Sequence, residues 1–359
     1  MTSASRPRMQ RRCASSVVTP SGGGQRERGL RFWCLLALPI PLAVLALGLG
    51  RYEISPSAVL QIIGRALAGQ PPRSAADTLV LSVRLPRILA ALLIGASLSG
   101  SGTAFQGIFK NPLVDSNLLG VTSGAGFGAA LALLLTGNTW LASVSAFAFG
   151  MLAVLLSFSA ARAGGSSHAL MLTLSGILVG SFFTALTSLI KTLADPLDTL
   201  PAITFWLLGS LTNVTWRSLP ALAVVTVVAC GALTLLRWQI NILSLGDHEA
   251  IALGVDARRM KILITGLASL MTAVAVATGG LIGWVGLVMP HAGRLLVGPD
   301  HKRLLPVSFS LGAAFLLVID TLSRTALAAE VPLGVFTGII GVPALFWLLR
   351  RRKAGWEWN

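Results

Sequence analysis

About ten blocks of apolar residues, most of them close to the length that crosses a bilayer, constrain this chain more than any other feature. In order they run near Phe32–Leu49, Ile88–Phe109, Leu118–Leu135, Trp140–Ala161 and Ala169–Leu189. The rest lie near Leu219–Leu236, Ile262–Thr278, Leu281–Leu296, Leu304–Ile319 and Leu333–Leu349. The hydrocarbon core offers no water to the backbone, so each block must satisfy its own N–H and C=O groups, which makes it a helix. Charged residues are 11% of the chain, less than half the share a soluble domain carries. The expected fold class is therefore all-α, a polytopic membrane protein of about ten transmembrane helices.

The formal charge of +15 invites a nucleic-acid reading, but the distribution of the charge excludes it. With the N-terminus inside, about 20 of the 28 basic residues fall on the inner side, as the positive-inside bias requires. Among them are Lys110, Arg162, Arg258, Arg259, Lys261, Arg294 and the run Arg350–Lys353. An even number of spans returns both termini to that side. Residues 1–30 are rich in Arg, Ser and Gly and are expected to form a disordered basic cytoplasmic extension. The transmembrane domain then occupies residues 31–352, and residues 353–359 form a cytoplasmic tail. Arg11-Arg12 lies too far from the first apolar run to act as a twin-arginine signal. The first block is read as a retained span, with a cleaved signal peptide as the alternative. Cys13, Cys34 and Cys230 have no paired spacing, so neither a disulfide framework nor a thiolate metal site is indicated.

Between the first two blocks, residues 51–87 form a polar stretch on the outer side, with a short amphipathic helix around Pro56–Leu67. The remaining loops are short, except an inner one over residues 237–261. Gly120, Gly124 and Gly128 recur every four residues, as do Gly176 with Gly180 and Gly334 with Gly338. Such spacing lets neighbouring helix backbones approach closely. The string Gly124-Ala-Gly-Phe-Gly128 half-matches a dinucleotide fingerprint but follows no strand, so it carries no such meaning.

Several chemistries are missing. There is no phosphate loop of the form Gly-x-x-x-x-Gly-Lys-Ser/Thr, so ATP hydrolysis by that route is not expected of this chain. Carboxylates fall in loops or at helix ends, with Asp320 just at the end of its block, which argues against a proton-coupled transporter. His168, His248, His291 and His301 all fall on the inner side as loop or interface residues. The outer face thus lacks an imidazole or thiolate cluster for a bare transition metal, and neither a metal site nor a cofactor is expected.

Several motifs follow one another in order along the chain. They include Arg84-Leu-Pro-Arg87, Phe109-Lys-Asn-Pro112-Leu, Leu119-Gly-Val-Thr-Ser-Gly124 and Phe205-Trp-Leu-Leu-Gly-Ser210. The inner loop carries Leu243-Ser-Leu-Gly-Asp-His-Glu-Ala250 and Leu253-Gly-Val255. The last third has Gly286-Leu-Val-Met-Pro-His291, Asp300-His-Lys-Arg-Leu-Leu-Pro306, Asp320-Thr-Leu-Ser-Arg324 and Glu330-Val-Pro-Leu-Gly334. From about residue 50 onward the chain resembles the iron-chelate and cobalamin importer permeases (FecCD-type) of ATP-binding-cassette transporters. The Arg-rich N-terminus departs from that pattern.

The resemblance implies a type II ABC importer permease fold. It also implies a second permease subunit, most simply a homodimer, two ABC ATPase subunits and a periplasmic or lipid-anchored substrate-binding protein. Three residue groups follow from it. Arg84, Arg87 and Arg324 reach the outer mouth, where they would pair with acidic residues of the binding protein; local pairing such as Asp320 with Arg324 is the alternative. Leu245, Gly246, Asp247, Glu249, Ala250, Leu253 and Gly254 would form the hairpin that plugs into the ATPase. Gly246 or Ser244 would open a short helix, Gly254 would stop it and Asp256 would cap the next. A membrane-surface helix is the alternative there. Ser166 and Ser167 would form a cytoplasmic gate, or equally a plain turn. The expected function is the pore-forming subunit of a bacterial inner-membrane, ATP-driven importer for ferric siderophores. Haem, cobalamin or molybdate is the alternative cargo, and a proton-coupled secondary transporter the rival class.

Overall fold

The computed structural model describes residues 23–50, 52–163, 168–327 and 329–350. The first span is two helices, α1 (Gly23–Ala37) and α2 (Pro39–Gly48), with Pro39 at the junction. Because α1 is already helical from Gly23, the expected disordered extension overlaps it over residues 23–30; residues 1–22 lie outside the described set. Next comes α3 (Pro56–Leu67), the foreseen amphipathic helix, capped by Ser55 and burying Val59 and Ile62.

The chain then enters α4 (Ala75–Thr78), a π-helical turn (Leu79–Arg84) and α5 (Leu85–Ile108) without a break. Three helices follow: α6 (Val121–Thr136), α7 (Thr139–Ala163) and α8 (His168–Leu193). A short apolar helix, α9 (Thr199–Leu208), precedes α10 (Leu219–Leu235). On the inner side, α10 bends by 57° into α11 (Arg237–Leu245), which leads to α12 (Asp247–Ala252) and α13 (Ala257–Gly279). The last three are α14 (Val285–Val297), α15 (His301–Thr325) and α16 (Leu333–Arg350).

Each expected block is a helix. Seven are long and apolar enough to cross a membrane, and the bent pair makes an eighth. The remaining two, α6 and α14, have only 16 and 13 residues. At 1.5 Å per residue both fall short of a full crossing, so the chain enters them from irregular segments already inside the bundle. The helix α9 was not foreseen, because its ten residues are too few to stand out as a span.

The centre of the bundle is α5, which touches α10, α13, α14 and α15 and is buried on every side from Ser97 to Ile108. Its sequence explains this position. From Gly95 to Ala104 nearly every residue is Gly, Ala, Ser or Thr, so neighbours come close enough for backbone contact. A Cβ placed on Gly95 would lie 2.2 Å from the Gly312 carbonyl oxygen of α15, and one on Gly102 only 1.9 Å from the Gly286 carbonyl of α14. Two hydroxyls on α5 are met by its other neighbours, with Ser97 2.8 Å from Thr226 of α10 and Thr272 of α13 donating to Ser101 at 3.1 Å. The four-residue glycine spacing has the expected use elsewhere too, since Gly124 and Gly128 of α6 sit against the Phe149 and Ser145 carbonyls of α7.

Replacing Gly95 by valine should therefore separate α5 from α15, because the clash is with backbone that cannot rotate away. We expect a loss of about 1–3 kcal/mol or more, read as a lower unfolding midpoint of the detergent-solubilised protein. Gly231→Val, with open space around it, should change the midpoint little.

Candidate functional site

Three regions carry the polar chemistry. The first is a cavity of 1080 Å³ between α8 and the segment linking α5 to α6. Along α8, Thr173, Gly176, Gly180, Thr184 and Ser188 line it at helical spacing. The opposing wall is Asn111, Leu113, Val114, Asp115, Asn117 and Leu118. That wall is braced from within. Asn111 Oδ1 accepts from Leu113 N at 2.9 Å, and Asp115 accepts from Ser116 N at 2.7 Å and Asn117 Nδ2 at 2.8 Å. Gln106 of α5 donates to the Val114 carbonyl at 3.0 Å and accepts from Arg294 of α14 at 2.5 Å. The Ser/Thr/Gly stripe on α8 was legible in the sequence at three- and four-residue spacing, but only the Gly176–Gly180 pair was singled out.

The second region is the inner hairpin of residues 237–261. Gly246 precedes α12, with Asp247 and Glu249 in its first turn, as expected. The helix stops in a Schellman arrangement: Val255 N donates to Ala250 O at 2.8 Å and Gly254 N to Ile251 O at 2.9 Å, with Gly254 at φ 78°. Asp256 accepts from Arg259 N at 3.0 Å and so caps α13, a full span rather than a second short helix. Asp247 is also held by Lys261, whose Nζ is 2.5 and 2.7 Å from its two oxygens. The apolar side divides in two. Ala250 is buried, whereas Leu245, Ile251 and Leu253 are each more than half exposed. The hairpin is pinned to the spans by Asn241, which donates to Asp300 at 2.6 Å and accepts from His301 N at 2.9 Å.

The third region is the outer end. Here Arg84, Arg87 and Arg324 are only 4%, 6% and 8% exposed. Arg84 donates to the carbonyls of Leu47 (2.6 Å), Gly48 (3.1 Å) and Tyr52, closing the C-terminus of α2. Arg87 donates to Asp320 at 2.8 Å and to both oxygens of Glu330 at 3.0 and 3.1 Å. Arg324 Nε lies 3.2 Å from Asp320 Oδ2. Two guanidinium groups thus face two carboxylates, and Glu330 also accepts from Thr212 at 2.8 Å. The local pairing of Asp320 with Arg324 is present, and all three guanidinium groups have partners within the chain. Asp320, placed at a block end by the sequence, is fully buried in α15.

The other site residues are placed as follows. Ser166 and Ser167 lie outside the described residues. His291 and His301, expected as loop or interface residues, are buried within α14 and in the first turn of α15. Among the described residues, no group of three His, Cys, Asp or Glu side chains could hold a metal.

Asp320→Asn would leave two buried arginines without their shared counter-charge. Losing one partner of a buried ionic group costs about 3–5 kcal/mol, so the thermal midpoint should fall well below that of Glu330→Gln. Glu330 sits between the spans. Partial burial raises its pKa, but the neighbouring Arg87 prevails and holds the carboxyl below its ordinary range. A depressed carboxyl stabilises fully above its unfolded pKa of about 4.3, and the contribution disappears as pH falls through the folded value. The stability gap between the wild type and Glu330→Gln should accordingly close on acidification, as followed by thermal melts across pH.

Comparison with known proteins agrees with this architecture. The sequence pattern of the FecCD transport family matches residues 36–351. The molybdate import permease MolB of Haemophilus influenzae is 38% identical over 89% of this chain and 95% of its own length. The hemin transport permease HmuU of Yersinia pestis is 34% identical over 88% and 95%. The cobalamin import permease BtuC of Halobacterium salinarum is 40% identical over 77% and 75%. An inward-facing conformation of a metal-chelate type ABC transporter superposes with a TM-score of 0.81 at 36% identity, covering 89% of this chain and 99% of that one. With its helical bundle, inner hairpin and hydroxyl-lined cavity, the chain belongs to the FecCD transport family.

Proposed function

We propose that the cavity along α8 is one half of a translocation path for a ferric siderophore or a similarly large metal chelate, completed by a second copy of this chain. As an importer permease of its family, the chain is a multi-pass inner-membrane protein that forms a pore. The observation that carries the cargo reading is the lining of the cavity. It holds 1080 Å³ in one subunit, at the upper end of the range for drug-sized ligands. Hydroxyls, glycines and aliphatic side chains dominate the wall, and among the described residues no Lys or Arg lines it. Such a surface lets a bulky chelate pass without gripping it, whereas a small oxyanion would be met more readily by fixed cations. Haem and cobalamin fit the same wall, and molybdate is the cargo named for one relative.

The hairpin supports a partner that hydrolyses ATP. Exposed Leu245, Ile251 and Leu253 form an apolar knob on the inner side, on a base fixed by Lys261–Asp247 and Asn241–Asp300. This knob would sit in a groove on each of two ABC ATPase subunits, so that their closure levers the spans. A soluble substrate-binding protein would deliver cargo at the outer face. Because Arg84, Arg87 and Arg324 are engaged internally, their role in that docking is to hold the outer end in shape for the partner. Direct charge pairing would need them to exchange partners. For Ser166 and Ser167 we keep the gate reading on the strength of the family resemblance alone.

Reconstituted with its ATPase and binding protein, the chain should import ferric siderophore only with ATP. Uptake into sealed vesicles by the chain alone would overturn this reading, and ATP-driven uptake of molybdate but no chelate would overturn the cargo. The hairpin has its own test. Gly254 has open space around it but a left-handed backbone, so Gly254→Val acts through conformation alone. The strain is about 1–2 kcal/mol, and it should lower cargo moved per ATP while Gly254→Asn is tolerated. Normal coupling in the valine variant would count against the hairpin geometry.

A further inference from the structure

At the inner end of α5, Lys110 follows the cap residue Phe109 and has φ 50°. This is the left-handed conformation with which many helices end, and glycine or asparagine usually occupies it because a side chain with a Cβ is disfavoured there. Terminating α5 does not by itself call for lysine. The side chain has a partner far along the chain. Its Nζ donates to the Leu245 carbonyl at 3.0 Å, across 135 residues of sequence. Leu245 is the last residue of α11, immediately before Gly246, where the hairpin turns into α12. The tether therefore attaches at the elbow.

On its other side, Lys110 is followed directly by the cavity wall of residues 111–118. That wall is stiff, since Asn111, Asp115 and Asn117 bond within it and Ser157 holds the Leu119 carbonyl at 3.1 Å. A stiff segment displaced at one end moves as a body. Lys110 thus combines a backbone conformation that lysine disfavours, a contact with the elbow and a place at the start of the wall. We infer that Lys110 is a positioning residue that transmits movement of the inner hairpin to the cavity wall. The inference rests on reading residues 237–261 as the element that meets the ATPase. The plain alternative is a cation placed at the C-terminal end of α5, where it complements the helix dipole. On that account the bond to Leu245 is incidental, and glycine would serve the backbone at least as well.

A thiol introduced by Leu113→Cys in the wall, with Cys13, Cys34 and Cys230 replaced, gives a readout independent of cargo. In the complete complex with its ATPase, maleimide labelling of that thiol is compared without nucleotide and with ATP. With Lys110 present we expect the two rates to differ by about ten-fold. Lys110→Gly and Lys110→Met should bring them within about two-fold, with the thermal midpoint of the glycine variant equal to or above that of the parent. Lys110→Arg, which keeps a donor of similar reach, should retain most of the difference. An undiminished ATP response in the glycine and methionine variants overturns the proposal, as does equal loss in the arginine variant. Ile251→Glu, on the exposed side of α12, separates the two readings. If the ATPase still co-purifies with that variant, the hairpin assignment fails. If the ATPase is lost there but Lys110 variants respond normally, the tether alone fails.

Discussion

The backbone contact of α5 with its neighbours is the constraint on which the rest depends. Gly95 against Gly312 and Gly102 against Gly286 bring α15 and α14 to distances at which no side chain fits between the chains. In a membrane the apolar surface of a helix gains little from leaving lipid, so such close packing and the hydroxyl bonds within it must hold the bundle together. This fixes α5 at the centre, and its two ends then become the places where other parts can be attached. The ion cluster is built on its outer end through Arg87. The cavity wall and the tether to the hairpin are built on its inner end, through Gln106 and Lys110.

The outer cluster shows why charge in this setting is read differently from charge on a soluble surface. Three arginines on the outer side run against the positive-inside bias and so suggest a partner. Within the chain they have partners of their own, for Asp320 and Glu330 balance Arg87 and Arg324, and Arg84 is taken up by the carbonyls that end α2. A buried guanidinium needs all its donors met, and only a folded chain reveals which acceptors come from residues far away in sequence. Asp320 and Glu330 could be seen as candidates by their ordered motifs, but the 233-residue separation between Arg87 and Asp320 could not be closed by spacing rules.

Where the signal is local, the sequence was sufficient. The spans, the outer amphipathic helix and the stop of α12 at Gly254 all follow from periodicity and a glycine placed after a helix. The half-length helices α6 and α14 were legible as apolar blocks, but not as short ones. The ends of their irregular lead-ins, residues 118–120 and 280–284, are themselves apolar and so merge with the helix in a composition window. The cavity was hidden for a related reason. Its α8 face is a stripe of small and hydroxyl residues, and the same stripe in α5 is buried against other helices. Composition alone cannot tell a packed face from a lined one.

That ambiguity bears on how the molecule can move. A bundle whose centre is locked by backbone contact cannot open there, so its conformational freedom must lie in segments that are not so packed. The candidates are the places where helices start or stop inside the bundle, because backbone outside a helix can change direction without breaking a hydrogen-bond ladder. Residues 109–120 are such a segment, stiff within and joined to α5 by the left-handed Lys110 and by the bond from Gln106 to Val114. The inner hairpin is another, fixed at Asn241 and Lys261 while its apolar knob faces outward. A force applied to the knob meets the rigid spans at one end and the lining of the cavity at the other. On the proposed reading, only the lining can yield without separating α5 from its neighbours, and this would make the inner third of the pathway, rather than the middle of the bundle, the part that an ATPase at the hairpin opens.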